Sequence, residues 1–289
     1  MAVINWYPGH MTKSIRMIED NIKLIDVLVY VLDARAPKSC INPDFVKYVS
    51  RLPVVYVLNK SDLADDAQTA AWKKKLSGER SVALSSVGTV SGSSAQVLAE
   101  IKRLCGAKID KYAAKGVKTT IKAIVLGVPN TGKSTLINNL IGKGKAITGN
   151  KAGVTRGKQW FKVNDYVEIL DTPGTLYPKL SAQKIARHLA YIGSIKDEVV
   201  DLNELACNFI KEAHSIKPSV IVDRYGFVPC DNDESNLEQV AKSRGFILKG
   251  GVCDIDRAAV AVIDDFRKGR MGKLTLDEAV PVYGDDKNE

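Results

Sequence analysis

Three loops, each closing an apolar run, constrain this chain more than any other feature, and the constraint lies in their order. Asn59-Lys60-Ser61-Asp62 follows Val54-Val55-Tyr56-Val57-Leu58. Gly127-Val128-Pro129-Asn130-Thr131-Gly132-Lys133-Ser134 follows a run from Ile121 to Leu126, and Asp171-Thr172-Pro173-Gly174 follows Val167-Glu168-Ile169-Leu170. Continuous β-branched runs of this kind suit a parallel sheet covered on both faces. Val27 to Leu32 and Ser81 to Leu84 read as two more strands, and helices are expected over residues 66–76, 94–104 and 133–141. Strand and helix alternate, which predicts a doubly wound, mostly parallel α/β sheet with ligands at the carboxyl ends of its strands. All three loops stand at such ends.

Each loop has a chemistry. Gly127 to Ser134 matches GxxxxGKS between a strand and a helix, the context in which backbone N–H groups and a helix N-terminus cradle phosphates. Asn130, Thr131, Gly132, Lys133, Ser134 and Thr135 are therefore expected to line a nucleotide, with Lys133 reaching the β- and γ-phosphates and the Ser134 hydroxyl holding Mg²⁺. Asp171 closes a strand 37 residues after Ser134, where a carboxylate can reach the magnesium shell, and the Gly174 N–H can sense the γ-phosphate. Thr155, between cradle and sensor, is a candidate second Mg²⁺ ligand in a loop that folds over the nucleotide. Asn59-Lys60-Ser61-Asp62 supplies what guanine requires: the Asp62 carboxylate accepts from N1–H and the exocyclic amine together, leaving an adenine edge unpaired. Asn59 would hold the N7/O6 edge and the Lys60 stem would cover the ring. Ser85-Ser86-Val87, ending the next strand, fits the small loop that backs the base.

These are the parts of a GTPase, arranged base reader, cradle, sensor. The usual order is cradle, sensor, base reader. The expected fold is thus a circularly permuted Ras-like P-loop GTPase domain over residues 1–178, followed by a smaller all-helical domain over residues 179–289. In the second part Leu237, Val240 and Ala241 share one helical face, and Ala258, Ala259, Val262, Ile263 and Phe266 another.

The permuted motifs, with Trp6-Tyr7-Pro8-Gly9-His10-Met11, Asp33-Ala34-Arg35-Ala36-Pro37, Gly153-Val154-Thr155-Arg156, Gln159-Trp160, Lys249-Gly250-Gly251 and Asp264-Asp265-Phe266-Arg267, resemble the circularly permuted ribosome-assembly GTPases of the YlqF/RbgA type. The resemblance runs nearly end to end. It implies that GTP is the substrate and that the partners are the precursor of the large ribosomal subunit and its ribosomal RNA, contacted by the helical tail. It also implies that His10 replaces the water-orienting glutamine, since Thr175 stands after the sensor glycine, where a Ras-like enzyme has that residue. The catalytic set is then His10, Lys133, Thr155 and Gly174. Asn130 further suggests K⁺ beside the phosphates, a charge that substitutes for an arginine finger; the alternative is that Asn130 only shapes the nest of amides. His188 and His214 read as ordinary helix residues.

Charge supports an RNA partner. The net charge is +9, and Lys and Arg outnumber Asp and Glu 18 to 9 over residues 61–178 while trailing them 16 to 19 over residues 179–289. The densest stretch is Lys102, Arg103, Lys108, Lys111, Lys115, Lys118 and Lys122, which suits a polyanion. In the acidic tail, contact is expected from Lys242, Arg244 and Lys249 or from Arg267, Lys268, Arg270 and Lys273, unless these pair with nearby acids. No apolar run reaches the roughly 18 residues of a membrane span, and no arginine-rich amphipathic leader is present, so the expectation is a cytoplasmic monomer. The five cysteines lack a C-x-x-C pair and read as buried thiols rather than a disulfide framework or zinc site. Two other function classes stay open: an RNA-binding switch or scaffold with hydrolysis as a release timer, and a signalling GTPase with a protein effector.

Overall fold

Apolar side chains on both sides of one strand fix the centre of the molecule. In the computed structural model, which describes residues 9–88, 90, 92–142, 159–176 and 183–279, β1 (Val27–Asp33) is buried at every position. Val27, Val29 and Val31 enter one core; Leu28, Tyr30 and Leu32 enter the other, as the two-residue period of a strand requires. Around it lie β2 (Val54–Asn59), β3 (Ser81–Ser86), β4 (Ile121–Leu126), β5 (Gln159–Lys162) and β6 (Val167–Asp171), in the order β3-β2-β1-β4-β6-β5. Every pairing is parallel except that of β5 with β6. The five strands read from sequence are all present, and the short antiparallel edge β5 is an addition.

The chain runs outward from β1 through β2 to β3, then returns to lay β4 on the other side of β1. That reversal is a switch point, and a crevice opens there at the carboxyl ends. Register sharpens it: Asp33 pairs with Asn59, and Asn59 with Ser86, so three loops leave the sheet at one level.

The helices, in chain order, are α1 (Gly9–Asn21), α2 (Pro37–Cys40), α3 (Val46–Val49), α4 (Asp66–Leu76), α5 (Ser93–Leu104), α6 (Gly106–Ala113), α7 (Lys133–Ile141), α8 (Gln183–Tyr191), α9 (Leu202–Ile216), α10 (Ser219–Tyr225), α11 (Asp233–Arg244) and α12 (Ile255–Arg267). Caps explain several starts: Asp65, Asp201, Asn232 and Asp254 each accept from the backbone N–H groups that open α4, α9, α11 and α12. α5 and α7 cover the valine face of the sheet with Val97, Ile101, Leu136, Ile137 and Leu140. The other face meets Met11 and Ile18 of α1, then runs without a break into Leu189, Tyr191, Phe209, Val262 and Phe266 of the helical part. Leu237, Val240, Ala241 and the apolar stripe of α12 are buried, as their spacing demands.

His10 lies in the first turn of α1. Two expectations from sequence, on His188 and on the cysteines, need correction. His188 is no ordinary helix residue: its Nδ1 lies 2.6 Å from Asp277 Oδ1 and its Nε2 2.8 Å from Glu212 Oε1, with Ser39 Oγ 3.2 Å from Nδ1. Burial opposes a charge on this ring, but hydrogen bonds and charge from the two carboxylates outweigh it and push His188 up to about 9. Of the cysteines, Cys40, Cys105 and Cys207 are buried, whereas Cys230 is exposed. No described helix is long and apolar enough to cross a membrane.

Candidate functional site

The cradle begins where β4 ends. Gly132 has φ 95°, a left-handed conformation, and a Cβ there would run into the Asn59 amide. Asn130 shares that left-handed region with φ 61°. Lys133, the first residue of α7, is buried, and its Nζ lies 2.8 Å from Val128 O. Burial pushes its amine down to about 8, against the nearby Asp171 carboxylate, whose charge favours the protonated form. Ser134 and Thr135 follow in the first turn of α7, at the positive end of that helix.

The base-reading loop is fastened to this cradle. Asn59 donates from Nδ2 to Thr131 O at 2.7 Å, while its buried Oδ1 has no hydrogen-bond partner. Lys60 adopts φ 57° and sends Nζ to Asn130 O at 2.8 Å and to Asp33 Oδ2 at 2.9 Å. Asp62 is exposed at the rim of the crevice. Ser61 Oγ donates to Ser86 O at 3.2 Å, which draws the Ser85-Ser86 turn alongside. Gly88 continues it, so close that a Cβ would stand 3.3 Å from Asn59 Oδ1 and 3.4 Å from Thr135 Cγ2, and its carbonyl accepts from Asn139 Nδ2 at 2.9 Å.

The sensor completes the ring. Asp171 ends β6, and Thr172 Oγ1 donates to Val125 O at 2.6 Å. A Cβ on Gly174 would lie 2.8 Å from Pro129 Cα and 3.0 Å from Lys133 Nζ, so only glycine fits against the cradle. Thr175 N–H donates to Gly127 O at 3.3 Å. Two residues past Gly174, Leu176 N–H meets Met11 Sδ at 3.4 Å, which brings the start of α1, and with it the backbone of His10, to the sensor strand's end. Thr155 lies outside the described residues. The three separated motifs thus converge on one crevice.

Sequence reasoning missed several contributors. Asp33, quoted above only within a motif, is fully buried, held by three bonds from Arg35, one of them from its backbone N–H, and one from Lys60; burial alone would raise its pKa, but the two cations keep it far below the usual carboxylate range. From the helical part, Ser194 Oγ donates to Pro129 O at 2.7 Å, and Gly193 O accepts from Asn130 Nδ2 at 2.6 Å. Beside these contacts is a pocket of about 350 Å³ lined in part by Arg35, Lys60, Asn130, Asp197 and Arg267. The turn after α8 carries no motif, so only its fold position could reveal it.

The basic stretch divides. Lys108 pairs with Asp26, Arg103 with Glu100, and Lys102 and Lys122 sit over the Tyr166 and Trp160 rings. Lys111, Tyr112, Lys115 and Lys118 are exposed on α6 and just beyond it. In the tail, Arg267, Lys268, Arg270 and Lys273 are all in ion pairs, as is Lys242 with Glu238, while Arg244 and Lys249 are exposed.

Known proteins carry the same arrangement. The family model described as 50S ribosome-binding GTPase matches residues 122–243, which includes the cradle and sensor and leaves Asn59 to Asp62 upstream of the match. Ribosome biogenesis GTPase A of Bacillus cereus is 37% identical over 277 residues, covering 95% of this chain and 94% of the relative. The Thermotoga maritima protein of that name is 34% identical over 281 residues, covering 95% of this chain and 94% of its own length. The crystal structure of GNP-bound YlqF from T. maritima aligns with TM-score 0.64 and 27% identity over 92% of this chain and 98% of that one. A GTPase crevice assembled in permuted order, shared over almost the whole length with these relatives, makes this chain a member of the ribosome biogenesis GTPase A (YlqF/RbgA) family.

Proposed function

We propose that this GTPase binds GTP in the crevice between β1 and β4, docks on the precursor of the large ribosomal subunit, assists a late folding or protein-joining step there, and leaves after hydrolysis. The observation that carries the reading is the Asn59 to Thr131 hydrogen bond, which joins base reader and phosphate cradle across 72 residues. Asp62 would pair with the guanine edge, Asn59 and Lys60 would flank the ring, and Ser85 and Ser86 would back it. The backbone from Asn130 to Thr135 and the Lys133 ammonium would hold the phosphates, with the Gly174 N–H at the γ-phosphate.

Mg²⁺ suits the donor set. Ser134 and Asp171 are hard oxygen donors at the mouth of the cradle, with Thr155 proposed as a third, and this ion completes its shell with water and substrate phosphates. Among the described residues no group of three or more His, Cys, Asp and Glu is placed to cage a metal by itself. When bound, the ion would neutralise charge on the transferring phosphoryl group. K⁺, in this reading, is held through the Asn130 amide oxygen, since the amide nitrogen is donated to Gly193 O. His10 is proposed to orient the attacking water, a placement supported by the contact of neighbouring Met11 with Leu176.

RNA contact is assigned to the exposed Lys111-Tyr112 surface and to the tip bearing Arg244 and Lys249, cations beside an aromatic ring being suited to phosphates and bases. Residues 179–289 act as the RNA-binding part. The Asn130–Gly193 and Ser194–Pro129 bonds give that part a direct hold on the cradle, which favours the switch reading, with hydrolysis as a release timer. The protein is taken to work as a cytoplasmic monomer.

Turnover should be slow alone, since no glutamine stands at Thr175, and should rise with immature large subunits in K⁺ buffer. Phosphate release is measured with and without these particles, in K⁺ and Na⁺, for the wild type and His10→Ala. Particle-independent rates would remove the ribosomal reading; equal rates in the two salts, or full stimulation of His10→Ala, would remove those two roles individually.

A further inference from the structure

After α12 the chain does not stop among the helices. Residues 273–277 return to the sheet and lie behind the loop that carries Asp62. Leu274 N–H donates to Leu63 O at 3.2 Å, and Thr275 Oγ1 accepts from Asp65 N–H at 3.1 Å while donating to Ala34 O at 3.4 Å. Leu276 N–H donates to Arg35 O at 2.7 Å. All three side chains are buried, and Asp277 closes the strap by accepting the Trp72 indole N–H at 2.9 Å. A turn earlier, Gly269 packs against Leu63 so tightly that a Cβ would stand 2.5 Å from Leu63 Cδ2.

The consequence concerns Asp62. Its side chain is exposed, so its position is set by the backbone of the turn it stands on. On one side that turn is fixed to the cradle through Asn59 and Lys60. On the other, Leu63 O and Asp65 N–H are fixed by residues more than 200 positions away. Arg35 ties the same network to the end of α12, donating to Asp33 and to the Phe266 and Arg267 carbonyls. A carboxylate that must meet two guanine donors at once tolerates little displacement.

We propose that the strap, through Leu274, Thr275 and Leu276, positions Asp62 and thereby sets guanine discrimination; these are positioning residues of the nucleotide site supplied by the carboxyl-terminal part. The proposal rests on the reading of Asp62 as the base-reading carboxylate. Inosine lacks the exocyclic amine, so GDP uses both oxygens of Asp62 and IDP only one. A misplaced Asp62 therefore costs GDP more than IDP, whereas general loosening of the fold costs both alike.

The test is the ratio of IDP to GDP dissociation constants, measured on the full chain by displacement of a fluorescent GDP. Thr275→Val keeps the shape and removes the acceptor for Asp65 N–H; the ratio should fall by roughly three-fold or more, and Thr275→Ser should restore it. Should Thr275→Val not fold, Leu63→Ala, at a half-buried site, is read the same way and should lower the ratio too. An unchanged ratio in the folded variant overturns the proposal. Asp62→Asn separates this failure from failure of the underlying reading: an amide offers N–H to the xanthine 2-carbonyl, so this variant should prefer XDP to GDP. If it does not, Asp62 is not the base reader and the proposal falls with it.

Discussion

Gly132 meets two demands at once: a φ of 95° and an Asn59 amide where a Cβ would go. Left-handed backbone costs an L-residue about 1–2 kcal/mol, and the collision adds to that by pushing Asn59 off Thr131 O. Gly132→Ala should therefore weaken GDP binding, measured by fluorescent-nucleotide titration, and also lower the apparent melting temperature without nucleotide by roughly a few degrees. At this scale the sequence was informative wherever the chemistry needs particular residue types close together, as in Gly127 to Ser134. It misjudged His188, because the partners that define it come from elsewhere: Glu212 is 24 residues from His188 and Asp277 is 89.

Among elements, His188 is the rivet: it joins α8 to α9 through Glu212, and to the strap and α2 through Asp277 and Ser39. Its folded-state pKa, about 9, stands above the ordinary value of 6.5. The stabilisation is thus fully present below pH 6.5 and is lost as pH rises through about 9. The difference is worth up to about 3 kcal/mol, and it should appear as a falling urea-unfolding free energy between those limits. His188→Gln, which keeps a hydrogen-bonding side chain without a titrating charge, should be less stable at pH 6.5 and flat across the window; an equally steep decline in the variant would assign the effect elsewhere. Element boundaries were legible where periodicity is strong: α4 and α7 begin and end where the sequence predicts. β5 was not legible, since four residues at an edge with exposed ends offer no buried run. Nor was the strap, a short extended segment whose partners are loops rather than a regular element.

For the whole molecule, the permuted order has a mechanical result. The base-reading loop precedes the cradle, so the chain after the sensor is free to build the helical part, and that part reaches back to the cradle at Gly193 and Ser194 and to the base reader through the strap. Motif order revealed the permutation. The back-contacts became visible only in three dimensions, because at least one partner in each is a backbone group, which leaves little trace in residue type. The charge distribution is the other molecular property, and it separates two basic regions. Most cations of the α12 end are engaged with Asp197, Asp264, Asp265 and Asp66, whereas Lys111, Lys115 and Lys118 are exposed on α6 and just beyond it. If those three lysines meet phosphates, replacing all of them with Gln removes three counterion-releasing contacts. The slope of log affinity against log salt for large-subunit RNA should then become shallower by about 2 to 3, with affinity falling most at low salt and GDP affinity unchanged. A slope equal to that of the wild type would move the RNA surface away from α6, leaving the exposed Arg244 and Lys249 tip to carry it.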